Sequence, residues 1–219
     1  MITSVFSLQF HKGLTTVFIA ENVENNYNQI TVRVADVGRT LKRRFVMRSE
    51  YGVSRSQLRG YIFEIAIFEL LLKNGFSAIN VATEPRERVR EIREGFVELK
   101  GRGCWHQIDC PCEYQRPIPF SYPLRLIGEV KFYKSPLEKK YIREFIEVIK
   151  DIQENYFVAD GMNSRDFYAR KMEVGVYFSA NGFQEEAEKL AYAHGIKTIS
   201  YANNYLINRI KNLVEIFNL

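Results

Sequence analysis

Hydrophobic and polar positions alternate along the first fifty residues with the two-residue period of β-strands. The alternation is clear in 15–22 and again in 29–37, as in strands with one covered face. Between them, 21–28 is rich in Asn and has the composition of a turn. We therefore expect residues 1–53 to form a β-rich extension that contains a hairpin.

From residue 54 onward the pattern predicts alternating helices and strands. Ser54 is suited to cap a helix over about 55–73, which Asn74 and Gly75 would end. A charged connector, 83–95, follows, with helix as one option for it. The remaining segments are strands at 95–103, 105–110 and 124–133, a helix at 141–156, a strand at 172–180, a helix at 182–195, a strand at 196–201 and a helix at 203–219. This order predicts an α/β fold, 54–219, with one central mixed sheet flanked by helices.

Four of the six prolines lie close together after the second of these strands. Proline fixes the backbone angle φ and removes an N–H donor, so a cluster of prolines favours a stiff, irregular loop. We expect such a loop at Pro111, Pro117, Pro119 and Pro123.

Composition narrows the class of protein. Hydrophobic residues make up 46% and charged residues 26%, which is typical of a globular protein and excludes a disordered chain or a collagen-like fibre. Three cysteines are too few for a disulfide scaffold and favour a reducing compartment, the cytoplasm. No segment has the length and apolarity of a membrane span.

Lys and Arg outnumber Asp and Glu by 31 to 26, a net charge of +5 that permits a polyanionic partner without requiring one. Seven of the basic residues lie between Arg39 and Arg59, with Glu50 as the single acid. Lys42, Arg43 and Arg44 are candidates for contacts to the phosphates of such a partner. A solvated linker is the alternative for this strip.

Asp109, Glu129 and Lys131 form the most informative constellation. Glu129 and Lys131 are two apart on a predicted strand and so share one face, while Asp109 would end the strand before it. Two neighbouring carboxylates repel each other, and a hard divalent cation relieves the repulsion. A magnesium site fits these residues, with the Val130 carbonyl as a further ligand and Lys131 holding or activating a water. An exposed ion pair is the alternative.

Asp109 followed by Glu129-Val130-Lys131 resembles the signature of the PD-(D/E)xK nuclease superfamily. The segment Gly60-Tyr61-Ile62-Phe63-Glu64 and the later Gly75-Phe76 resemble the first helix of its Mrr-like restriction endonuclease branch. Residues 181–200 resemble the late helix and strand of that branch. The likeness extends over about 56–202. It departs from the branch in Glu129, where a glutamine is frequent, and in Cys104-Trp105-His106-Gln107, which replaces a short turn.

The resemblance implies a restriction-endonuclease-like core and Mg²⁺-dependent cleavage of DNA, with Mn²⁺ able to substitute. Asp109 and Glu129 would bind the metal, Lys131 would position or activate the water, and Glu64 would complete the metal shell. The likeness also implies restriction or another defence against foreign DNA, and a homodimer or a larger assembly. A non-catalytic nucleic-acid-binding module on the same fold, and a nuclease acting on RNA or branched DNA, are the rival functions.

Cys104, His106, Cys110 and Cys112 are four possible soft metal ligands within nine residues. Structural zinc sites usually use paired ligands two to four apart, with a longer stretch between the pairs. Here the intervals are shorter, and alternation along a strand would send ligands to opposite faces. A zinc site built from these four residues is therefore not favoured.

Overall fold

The structure of the protein is a computed structural model. It describes residues 54–82, 84, 86–92, 96–116, 118–156 and 170–215 with their side chains, and the backbone of 93 and of four N-terminal strands.

The N-terminal strands form a four-stranded antiparallel sheet. They are β1 (Ile2–Phe10), β2 (Gly13–Glu24), β3 (Tyr27–Asp36) and β4 (Arg39–Ser49), and each pairs with the next. The predicted hairpin corresponds to β2 and β3. The basic residues Lys42, Arg43 and Arg44 lie in β4, so this part of the strip is strand and not linker. Their side chains lie outside the described residues.

Helix α1 (Arg55–Lys73) has the ends that the sequence predicts. The Ser54 side chain accepts a hydrogen bond from the Gln57 N–H, and the Gln57 side chain accepts one from the Ser54 N–H, which makes a capping box. Past the C-terminal end, Gly75 has φ +92°, a conformation that suits glycine. The short strand β5 (Phe76–Ala78) follows.

A small antiparallel sheet corrects two expectations. It contains β6 (Val89–Arg93), β7 (Phe96–Lys100) and β8 (Trp105–Gln107). A helix in the charged connector is therefore wrong, because fully buried Val89 pairs with Leu99 across the strands. A single sheet after residue 54 is wrong as well, since these strands form a sheet of their own.

The central sheet has five strands and is mixed. Its other members are β9 (Cys110–Tyr114), β10 (Leu124–Lys131), β11 (Met172–Ser179) and β12 (Lys197–Ser200), in the order β12-β11-β10-β9-β5. β10, β11 and β12 run parallel to one another, whereas β9 is antiparallel to both β10 and β5.

Pro111 lies inside β9 and not in the loop, which corrects one member of the proline cluster. The partner strand β5 ends at Ala78, opposite Cys112, so Pro111 lies where that pairing stops. A strand residue directs its N–H and C=O to the same side, and the Pro111 carbonyl accepts from Ile79 on the β5 side. The missing N–H therefore removes no bond to β10.

Helices cover both faces of this sheet, which confirms the α/β prediction and is consistent with a restriction-endonuclease-like core. The helices are α2 (Lys139–Gln153), α3 (Glu185–Ala193) and α4 (Tyr205–Glu215). α1 and α4 share one apolar core with Leu126 and Val130 of β10. α2 and α3 share a second core with Ile127, on the opposite face. No helix in the described part of the chain has the length and apolarity to cross a membrane.

Candidate functional site

A close approach between β9 and β10 positions the first acidic residue. Cys110 pairs with Gly128, and a Cβ added at Gly128 would lie 2.8 Å from the Cβ of Cys110, so only glycine lets the strands come this near. Asp109 comes directly before β9 and therefore beside Glu129. The sequence had placed Asp109 at the end of a strand from 105, but β8 stops at Gln107 and Asp109 lies in the connection.

The three charged side chains meet at one point. Lys131 Nζ lies 3.2 Å from Asp109 Oδ2 and 2.5 Å from Glu129 Oε1. Asp109 Oδ2 also accepts a hydrogen bond of 2.9 Å from the backbone N–H of Val130. This backbone bond fixes the Asp109 carboxylate against β10, and the ammonium lies in contact with both acids.

Partial burial makes the negative charge of the two carboxylates unfavourable. The side chains of Asp109, Glu129 and Lys131 are 12%, 21% and 27% exposed. Burial, followed by the charge of Asp109, raises the pKa of Glu129 to about 7 against the partial compensation of Lys131. One ammonium does not neutralise two carboxylates, so an additional cation would be stabilised here.

Lys131 keeps its proton in this setting. Burial by itself would lower the pKa of Lys131, but the charges of Asp109 and Glu129 outweigh burial and raise the pKa above its ordinary value. The side chain is therefore a fixed positive charge and hydrogen-bond donor, and a poor base.

The donor set fits a hard divalent cation. Asp109 and Glu129 offer carboxylate oxygens, the ligands that Mg²⁺ prefers. The Val130 carbonyl points to the same side of β10 as the Val130 N–H that binds Asp109, because both groups of a strand residue face one neighbour. Asp109 and the Val130 carbonyl thus lie on the same side of β10, and the Glu129 carboxylate joins Asp109 in contacting the Lys131 ammonium.

Glu64 is a half-buried residue of α1 and is not part of the contact between Asp109, Glu129 and Lys131. Its backbone carbonyl oxygen is 4.0 Å from the Sγ of Cys110, whose pKa is raised by burial and then by neighbouring charges that include Asp109 and Glu64. The ligand oxygens of Glu64, Asp109 and Glu129 do not all lie within 4.8 Å of one another in the described structure. Its role in a metal shell stays a prediction.

Tyrosines surround the site, and the sequence analysis missed them. Tyr177 of β11 pairs with Glu129, is almost fully buried, and has a pKa raised by burial and then by the charge of Glu129. Tyr133 is 39% exposed, and its ring lies 5.2 Å from that of Tyr141 on α2. A sequence signal exists only for Tyr133, which follows Lys131 by two residues.

The four possible soft ligands are separated by the fold. Cys110 and Cys112 are fully buried in the core under α1. Cys104 is exposed, and its Sγ lies 3.4 Å from His106 Nε2. A site built from all four residues does not form, as the spacing suggested.

Trp105 lies under basic side chains on the small sheet. The Arg90 guanidinium is 4.6 Å and the Lys100 ammonium 5.4 Å from its ring centroid. Such stacked cations over an indole ring are stabilised by the charge distribution of the ring.

No protein-family model matches the chain, and no curated protein matches its sequence. Among solved structures, the chain is similar to a crystal structure described as that of a protein of unknown function, AF1548, with 17% sequence identity. The match covers 73% of this chain and 71% of that chain, with a TM-score of 0.43. Function is therefore inferred from the side chains of the site.

Proposed function

We propose that this protein is a Mg²⁺-dependent endonuclease that hydrolyses DNA phosphodiester bonds in restriction or another defence against foreign DNA. The observation that supports this proposal is the contact of Asp109 and Glu129 with the same ammonium, that of Lys131, at a partly exposed point. Residues twenty apart in the chain meet there, as the PD-(D/E)xK resemblance implies.

Asp109, Glu129 and the Val130 carbonyl would hold the metal. When bound, Mg²⁺ would supply charge neutralisation at the phosphate and acidify a water molecule. The backbone N–H of Val130 orients the Asp109 carboxylate toward β10.

Lys131 would act as a positive charge beside the scissile phosphate. Its raised pKa disfavours a role as the base that deprotonates water. The sequence-based hypothesis gave Lys131 two roles, to position the water or to activate it. A protonated lysine can position the water and stabilise developing negative charge, but it cannot remove a proton from the water.

The proposed partner is DNA, and two surfaces are candidates to contact it. Lys42, Arg43 and Arg44 on β4 are the sequence-based candidates for phosphate contacts. Arg90 stacked over Trp105 adds a basic and aromatic pair, a combination that suits a nucleic-acid backbone and an unpaired base. Cleavage of both strands needs two cuts, which favours a homodimer or a larger assembly.

A cytoplasmic location is part of the proposal. Cys104, Cys110 and Cys112 are all free thiols. Cys110 and Cys112 lie two apart in β9 without a bridge, which suits a reducing compartment.

Plasmid cleavage tests the proposal. The wild-type protein should nick or linearise DNA with Mg²⁺ or Mn²⁺ and lose that activity in EDTA, and Asp109→Asn should abolish cleavage while DNA binding persists. Glu113→Gln is the acidic control, because Glu113 lies on β9, four residues after Asp109, but pairs with Lys171. Binding without cleavage across divalent metals would support the non-catalytic module, and preference for RNA or junctions would support the other rival.

A further inference from the structure

A second group of side chains converges away from Asp109 and Glu129. Cys104 and His106 flank the start of β8, and Asp151 lies on the last turn of α2. Within the described residues, these three form the one group of three or more potential metal ligands whose ligand atoms all lie within 4.8 Å of one another. No local pattern indicates Asp151 as a partner of His106, because the two residues are 45 apart in the chain.

The three ligand atoms approach the same point. His106 Nε2 lies 2.7 Å from Asp151 Oδ2, and Cys104 Sγ lies 3.4 Å from His106 Nε2 and 3.9 Å from Asp151 Oδ2. Ligands of a tetrahedral zinc ion with ordinary bond lengths are roughly 3.3–3.6 Å apart. The His106–Asp151 pair, a hydrogen bond here, would have to lengthen by about 0.6 Å, and the Cys104–Asp151 pair would have to shorten by about 0.3 Å.

This arrangement does not suit a thiol protease triad. Such a triad needs the nucleophile on one ring nitrogen of the histidine and the carboxylate on the other. Here Asp151 Oδ2 is within hydrogen-bond distance of Nε2, and Nε2 is also the nearer nitrogen to the Cys104 sulfur, 3.4 Å against 3.9 Å for Nδ1. The Cys104 sulfur and the Asp151 carboxylate therefore both lie near His106 Nε2, as they would if all three bound one cation.

The surrounding loop is shaped around the Asp151 carboxylate. A Cβ added at Gly101 would lie 2.0 Å from Asp151 Oδ2 and 3.0 Å from His106 Nε2, so a side chain there would displace both groups. The backbone N–H of Gly103 donates to Asp151 Oδ1 at 2.8 Å, and that of Cys104 donates to Oδ2 at 3.3 Å. These bonds hold the carboxylate in place beside the thiol and the imidazole before any ion arrives.

Thiolate, imidazole and carboxylate together select a borderline metal. Zn²⁺ takes all three ligand types, whereas Mg²⁺ and Ca²⁺ take oxygen ligands. Cys104 is exposed while His106 and Asp151 are 15% and 19% exposed, so a fourth position faces solvent.

We propose that Cys104, His106 and Asp151 bind one Zn²⁺ ion, and that this ion clamps the loop 101–104 onto the end of α2. The clamp would tie down the chain three residues before Asp109. The zinc site does not depend on the proposed nuclease activity, because it uses none of the residues at that point.

Metal binding to the intact protein tests the site. After treatment with EDTA and dialysis, the wild-type protein should bind Co²⁺ with a thiolate-to-cobalt charge-transfer band that saturates at one Co²⁺ per chain, and Zn²⁺ should remove the band by displacing this cobalt. Zn²⁺ should also raise the temperature of unfolding, since a ligand bound only to the folded state stabilises it.

Variants assign the ligands. Cys104→Ser should remove the charge-transfer band, and Asp151→Asn should weaken Zn²⁺ binding by at least about 100-fold. His194→Gln is a control for an exposed histidine elsewhere, and Asp109→Asn is a control for the other candidate metal site; both should keep the band.

The proposal is overturned if the wild-type protein shows no thiolate band with Co²⁺, or if Cys104→Ser retains it. The proposal is also overturned if the wild type binds no Zn²⁺ while Asp151→Asn lowers the temperature of unfolding. The hydrogen bonds of Asp151 would then stabilise the loop without a metal. Cys104 is exposed, so its serine variant remains informative if Asp151→Asn fails to fold.

Discussion

Strand β10 has charged side chains at both ends of one face, and the two ends differ in how the charges are compensated. Arg125 near the start is 2% exposed, whereas Glu129 and Lys131 near the end remain partly exposed. Ile127 lies between them in the core under α2. The same strand face thus changes from a closed ion network to an open site within four residues.

The closed end compensates its charges with protein partners. Arg125 Nη2 lies 2.8 Å from Glu84 Oε2, and Arg125 Nη1 lies 3.7 Å from Glu173 Oε1. Lys171 Nζ lies 2.7 Å from Glu113 and 3.5 Å from Glu84, and the Tyr156 hydroxyl donates to Glu173. Each carboxylate has a cation or a hydroxyl partner, and the side chains of Glu84, Arg125 and Glu173 are at most 6% exposed.

The open end differs in its exposure: two carboxylates share the ammonium of Lys131, and all three side chains remain partly exposed. Solvent reaches the group, and the pKa of Glu129 is raised to about 7 by burial and by Asp109. The comparison indicates that charged side chains on a central strand support the fold where other charged and hydroxyl side chains surround them. Where the enclosure is incomplete, the same chemistry is available to a ligand.

The largest expected effect is on the closed end. Arg125→Met should lower the free energy of unfolding by about 3–5 kcal/mol, because it removes the guanidinium that two buried carboxylates, those of Glu84 and Glu173, share. Urea unfolding measures this change. The double variant Glu84→Gln/Arg125→Met should be more stable than Arg125→Met alone, and a single-variant loss under about 1 kcal/mol would show that the network does not support the fold.

Lys131→Ala should separate activity from stability at the open end. We expect DNA cleavage to fall by at least about 100-fold, since a fixed positive charge is lost beside the phosphate. The loss of unfolding free energy should be smaller than in Arg125→Met because solvent reaches both carboxylates. Initial rates of plasmid nicking and urea unfolding of the same samples measure both quantities, and unchanged nicking would contradict the proposed role.

The pH dependence of stability should identify Glu129. Its pKa is raised from 4.5 to about 7 in the folded state, so the folded protein binds a proton more readily than the unfolded chain does. The stabilisation from that proton is present below about pH 4.5 and is lost as the pH rises through about 7.

Glu129→Gln isolates this effect. In EDTA, the free energy of unfolding of the wild type should fall relative to Glu129→Gln as the pH rises from about 5 to about 8. A difference that stays constant over this range would mean that Glu129 has an ordinary pKa in the folded protein.

The smallest expected effect is on an exposed ion pair, which serves as the reference for the buried ones. Lys189 pairs with Glu185 one turn away on α3, at 2.6 Å, with side chains 69% and 80% exposed. Lys189→Ala should change the free energy of unfolding by about 0.3–0.5 kcal/mol and leave cleavage unchanged. A larger change measured by urea unfolding would show that the exposure of a charged pair does not predict its contribution to stability, on which the comparison of the two ends of β10 depends.

Local signals predicted the elements that depend on neighbours in the chain. Ser54 and Gly75 set the ends of α1 because capping and a positive φ are properties of single residues and their immediate neighbours. The apolar period likewise placed α2, α3 and α4. By contrast, β6 has few apolar residues, and its pairing with β7 outweighs the charged composition that favoured a connector.

The candidate site was partly predictable for the same reason. The Glu129 and Lys131 spacing fixes their common face, and Asp109 was expected beside them on the condition that its strand neighbours theirs. Nothing in the spacing of Glu64 set its distance from them, and no local pattern indicated Tyr177 or Tyr141 as neighbours of the site.

By itself, the sequence determined the α/β class, the ends of α1 and the shared face of Glu129 and Lys131. The tertiary structure decided that Asp109 meets them, that Cys110 and Cys112 turn away from Cys104, and that Asp151 joins His106. The physical reason is range: caps and periodicity act over a few residues, whereas these contacts depend on how separate strands and helices pack, to which the whole chain contributes.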